Sequence, residues 1–160
     1  MTADEFARQL AGYLHIPIEL KEDKDLIDAS ARTGNALIDF VRAYDTSKIE
    51  IGMITFPPWP LKTKRGWHVG YEEVDPILLD SETGEVWLKE YGEDHIVGYC
   101  AKDSDRFLEA LLAVVRLVSE SEARGESNKE FNRRGAAQTC AAVAGGDRYY
   151  SFYRSVFAAR

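Results

Sequence analysis

At 160 residues the chain is long enough to bury a core of its own without disulfide or metal staples. Its composition, 45% hydrophobic and 29% charged, excludes a disordered polypeptide. A net charge of −7 disfavours phosphate backbones and favours basic protein partners, and the longest apolar run falls far short of a membrane span.

The opening stretch, MTADEFARQLAGYL, lacks the basic start and small-residue cleavage site of a secretory signal, so a cytoplasmic protein is expected. Thr2-Ala3-Asp4-Glu5 has the spacing of a capping box, and Phe6, Leu10 and Leu14 share one helical face. A first helix is therefore predicted over Thr2–Tyr13, with Pro17 holding Ile16 extended beyond it. The polar run Glu22–Asp25 precedes a second helical segment, in which Gly34-Asn35 offers a break. Leu37, Phe40, Val41 and Tyr44 then follow the i, i+3, i+4, i+7 rule to about Tyr44.

From Ile49 the period changes. Ile49, Ile51, Met53 and Thr55 alternate with other residues as in a strand, and Pro57-Pro58-Trp59-Pro60 stops it. Lys62-Thr63-Lys64-Arg65-Gly66 is a basic loop, after which Trp67, Val69 and Tyr71 alternate as a second strand. The stretch Asp75–Lys89 reads as a hairpin: Ile77-Leu78-Leu79, a break at Asp80-Ser81-Glu82-Thr83-Gly84, then Glu85-Val86-Trp87-Leu88. Asp80 is placed to accept a backbone N–H two residues on, and Gly84 to take positive φ. His95–Tyr99 is expected to form a fifth strand by the same pattern. Strands in close succession favour an antiparallel sheet, because parallel pairs need long crossovers.

Asp103 or Ser104 is placed to cap a helix over Ser104–Glu122, whose stripe is Phe107, Leu108, Leu111, Leu112, Val115 and Val118. This helix is expected to pack on the sheet. Ala123–Asn128 is a polar connection, Ala136–Ala144 an Ala-rich helix stopped by Gly145-Gly146, and Asp147 a cap for a final helix. The last helix presents Tyr149, Phe152, Tyr153, Val156 and Phe157 on one face. There are no repeats and no linker, so residues 1–160 are expected to form a single α+β domain. Its sheet would be mostly antiparallel, with four to six strands flanked by helices.

The residues that carry chemistry are sparse. His15, His68 and His95 lack an i+4 histidine or an HExxH-like register, so no metal is expected. Ser81, Ser104 and Cys100 lie in no nucleophile context, no phosphate-binding glycine loop occurs, and no cofactor is implied. Cys100 and Cys140 are isolated, as reduced core thiols are. The mixture of Trp59, Lys62, Lys64, Arg65, Trp67 and His68 resembles single-strand binders, but a solvated loop with half-buried tryptophans is the simpler reading. The overall charge opposes nucleic acid.

The charge is uneven. Between Glu72 and Asp94 nine acids face Lys89 alone, whereas from Arg124 onward seven basic residues face Glu126, Glu130 and Asp147. Glu72, Glu73, Asp75, Glu82, Glu90, Glu93 and Asp94 are the candidate partner-binding residues. Asp80 is set aside for the turn, and Glu85 because alternation leaves its face open. The plain alternative is a face that keeps the protein soluble.

Over Tyr71–Val118 the chain resembles the SUKH superfamily. Ile77, Asp80, Thr83, Gly84 and Val86 match its I-x-x-D-x-x-T-G-x-V strand pattern. Ser104, Phe107 and Leu111 approximate its helix start, and the aromatic tail is similar to one branch. The family's early Leu-Pro and Asn-Gly features have no counterpart here. The resemblance implies an α+β fold without catalytic residues, and for many bacterial members an immunity function: binding and neutralising a cognate toxin, often a nuclease or deaminase. The partner would then be a basic toxin domain, with no nucleic acid and no membrane involved. Two other expectations stand beside it. One is a small hydrolase or nucleotide-modifying enzyme using His68 or His95; the other is a regulatory scaffold module.

Overall fold

The computed structural model describes residues 1–22 and 32–158. Helix α1 spans Ala3–Leu14 behind the capping box: Thr2 Oγ1 accepts the Glu5 N–H at 3.1 Å, and Glu5 Oε2 accepts the Thr2 N–H at 2.7 Å. The helix ends before Pro17, at His15 in the left-handed region. The start of the second helical segment lies outside the described residues. Its later part is helix α2, Ala36–Ala43, capped by Asn35, whose Oδ1 accepts the Leu37 and Ile38 N–H groups at 3.1 Å.

Six strands follow: β1 Ile54–Thr55, β2 Leu61–Lys62, β3 Gly66–Glu72, β4 Asp75–Asp80, β5 Val86–Lys89 and β6 Ile96–Ala101. They form an antiparallel sheet in the order β1-β3-β4-β5-β6, with β2 also paired to β3. The strand expected from Ile49 shrinks to two residues. Ile51 and Ile54 exchange backbone hydrogen bonds at 3.0 and 2.9 Å across Gly52-Met53, folding the chain back before it can run on. Only Ile54 and Thr55 are left to pair with β3.

The helical layer closes with α3 Ser104–Ala123, α4 Arg133–Ala144, a 3-10 turn Asp147–Tyr149, and α5 Tyr150–Ala158. Asp103 caps α3 by accepting the Arg106 N–H at 2.8 Å. The 3-10 turn starts after Gly146 with no side-chain cap, which corrects the cap expected of Asp147. Helix α3 meets the sheet at β6 but is itself walled by α1, α2 and α4, so Phe107, Leu108 and Leu111 are sealed in the middle of the layer while Val118 is only half-buried. Ser104 Oγ accepts the Asn35 side-chain amide at 2.8 Å, pinning together the starts of α2 and α3. The aromatic face of α5 is buried as expected. Tyr153 is fully enclosed, and its hydroxyl donates to the Cys100 carbonyl at 2.9 Å, tying α5 to β6.

Val69, Ile77, Leu79, Val86 and Leu88 point from the sheet into this core. The alternation of Trp67, Val69 and Tyr71 does not place all three on one face, because the β3–β4 register shifts between His68 and Gly70. After the bulge Tyr71 joins His68, whose ring it meets edge-on at 4.5 Å, on the face away from the helices. Leu78 and Trp87 are cross-strand partners on that outer face.

Candidate functional site

In an antiparallel meander successive turns fall at alternate ends of the sheet. The β3–β4 turn and the β5–β6 turn therefore share one end, and the β4–β5 turn lies at the other. This sorts the seven acidic candidates. Glu73, Asp75, Glu90, Glu93 and Asp94 come together at one tip, whereas Glu82 stands on the opposite turn. Glu72 leaves the set: it is buried at 9% exposure, and its Oε1 accepts the Ser155 hydroxyl at 2.6 Å. A strand-end carboxylate turned toward α5 cannot meet a partner.

The two turns are stitched rather than merely adjacent. The Tyr91 N–H donates to Asp75 Oδ1 at 2.8 Å, so Asp75 is spent on holding the loops together. Glu90 Oε2 accepts from His95 Nε2 at 2.8 Å, and Asp94 Oδ1 meets Lys89 Nζ at 3.2 Å while remaining 95% exposed. Glu73 and Glu93 are exposed with no ion pair among the described residues. Glu73 holds φ at +54°, which an L side chain adopts at a cost, and its N–H donates to the Met53 carbonyl at 3.0 Å.

Among these acids stand two apolar side chains that the charge pattern concealed. Val74 is 62% exposed and Tyr91 is 71% exposed, one on each turn. Each lies between polar or glycine neighbours, Glu73-Val74-Asp75 and Glu90-Tyr91-Gly92, so window hydropathy is silent there. An apolar residue at the corner of a turn was the available signal.

A groove of about 720 Å³ runs along the outer sheet face from Glu82 and Arg65 to Asp94 and His95, floored by Leu78 and Trp87. The Arg65 guanidinium lies 4.5 Å from the Trp87 ring and faces Asp80 Oδ1 at 3.6 Å. Burial pushes the Asp80 carboxyl up. The Thr83 hydroxyl at 2.6 Å and N–H at 2.8 Å, with Arg65, outweigh it and hold the group below its ordinary value. The donor is thus three residues on, not two: the Gly84 N–H closes onto the Asp80 carbonyl at 2.9 Å, and the Thr83 N–H is the one that reaches the Asp80 carboxylate.

The cation–aromatic loop is not open for stacking either. Lys21 sits 4.1 Å over Trp59 and Lys62 lies 5.8 Å from Trp67, both tryptophans half-buried. His68 and His95 work separately. His68 Nε2 donates to the Gly70 carbonyl at 2.9 Å, and burial lowers its affinity for a proton; His95 belongs to the tip. Both cysteines are free and buried. Burial drives the Cys100 thiol far upward and Cys140 to about 12, so neither forms a thiolate nucleophile. No group of three His, Cys, Asp or Glu side chains fit to hold a metal occurs among the described residues, and no described helix is long and apolar enough to cross a membrane.

No family model, curated protein or solved structure matches the chain.

Proposed function

We propose that the chain is a non-enzymatic protein-binding domain, an immunity protein that neutralises a basic toxin domain by direct contact in the cytoplasm. The observation that carries this reading is the exposure of Tyr91 and Val74 on two stitched turns, ringed by Glu73, Glu93 and Asp94. An aromatic anchor desolvated on contact, with charges at its rim, is how protein interfaces concentrate their energy. The acids fit a partner with a basic cleft of the nuclease or deaminase kind, which they would both steer and fill. The resemblance to the SUKH superfamily points the same way. The test is co-expression with the C-terminal domain of a toxin encoded beside this gene. The wild-type chain is expected to rescue growth, and Tyr91→Ala combined with Glu93→Lys to lose rescue while remaining folded. Full rescue by that double variant would overturn the reading.

A further inference from the structure

The basic C-terminal third has a shape as well as a charge. The inner faces of α4 and α5 meet through Ala137, Cys140, Ala141, Tyr153 and Phe157, all at most 1% exposed. On their outer side the two helices leave a half-open cleft of about 770 Å³. It is lined by Arg133, Arg134 and Gln138 from α4, Asp147 from the 3-10 turn, and Tyr150 and Arg154 from α5. Three guanidinium groups against one carboxylate make it positive in a chain of net charge −7.

The arginines there differ from most of the others described. Six others, among them Arg65 and Arg148, each have a carboxylate within 3.9 Å. Arg133 is occupied differently, donating to the Asn128 carbonyl at 2.8 Å. Arg134 and Arg154 are exposed on facing helices and form no ion pair among the described residues, although acids outnumber bases in the chain. Like-charged groups kept together without internal partners repel, and a bound anion relieves that repulsion. Guanidinium forks match phosphate oxygens two at a time. The half-buried Tyr150 adds an aromatic surface, and Gln138 and Asp147 add a mixed donor and acceptor set. The volume falls in the range of ordinary small-molecule sites, about 300–1,000 Å³.

We infer that the α4–α5 cleft binds a small phosphate-bearing ligand of the nucleotide class, with phosphate between Arg134 and Arg154 and a base or sugar beside Tyr150. This site is separate from the acidic tip and does not depend on the function proposed for it. The experiment is calorimetric titration of the full chain with ADP, with inorganic pyrophosphate and sulfate as comparison anions. ADP is expected to bind saturably with one site per chain, more tightly than pyrophosphate and far more tightly than sulfate. Arg134→Gln with Arg154→Gln is expected to weaken ADP binding at least about tenfold, the equivalent of one charge-assisted hydrogen bond. Both side chains are exposed, and an unchanged thermal melt would show that the variant is folded. Absence of saturable ADP binding at about 1 mM, a Kd at which binding energy is already small, would overturn the inference. So would equal affinity for ADP and sulfate, or undiminished binding by the double variant. A short single strand of DNA that displaced ADP and bound more tightly would assign the cleft to a polymer instead, and equally overturn it.

Discussion

Asp80 shows how one side chain decides the geometry of a turn. It is 2% exposed, accepts two hydrogen bonds from Thr83, and faces Arg65. Because its folded-state affinity for a proton is depressed, it contributes stability that is fully present above its ordinary pKa of 3.8 and is lost as pH falls through the lower folded value. Asp80→Asn is expected to cost about 1–3 kcal/mol at neutral pH. In urea melts taken at falling pH, the gap between wild type and variant should close below pH 3.8. A gap independent of pH would mean that shape rather than charge holds the turn. Glu73 gives the opposite lesson, a residue placed against its own backbone preference. Glu73→Gly is expected to raise stability by about 1 kcal/mol by removing the left-handed strain, yet to slow partner association. A thermal melt and a binding rate on the same sample check both halves.

Helices and hairpin were legible because their signals are local and redundant. Thr2 and Glu5 mark a helix start, Phe107 to Val115 a stripe, and Asp80 to Gly84 a turn. The bulge at Val69 was masked because Trp67, Val69 and Tyr71 alternate perfectly; Gly70 inside the strand, a residue that often marks a bulge, was the available signal. The truncated first strand failed for a related reason. Gly52 turns the chain inside a run whose buried residues, Ile49, Ile51 and Ile54, satisfy the core from a loop as well as from a strand. The site was half legible: the acids were visible as a run, but which turn each occupies follows from sheet order. Two substitutions probe the elements. Leu111, fully buried in α3, should cost about 2–5 kcal/mol on change to Ala. Gly66 pairs with Asp80 so closely that a Cβ would sit 1.9 Å from the Leu79 carbonyl oxygen, so Gly66→Ala should displace β3. Lost amide protection in both β3 and β4 on hydrogen exchange would show this, and unchanged protection would contradict the strand approach described here.

Across the whole molecule the charges separate. Acids gather at the tip formed by the β3–β4 and β5–β6 turns, while arginines gather at the α4–α5 cleft. Exposed acids near a basic partner speed encounter more than they slow departure, and salt screens that gain beyond about 8–10 Å. In the proposed complex Tyr91 would act through desolvated contact, and hence mainly on dissociation. The decisive measurement is therefore the kinetics of Glu73→Lys/Glu93→Lys/Asp94→Lys binding to the basic toxin domain proposed as the partner, at low and high salt. Association should be slowed at low salt, the deficit should shrink at high salt, and dissociation should change little. An association rate equal to wild type at low salt would contradict recognition through the acidic tip.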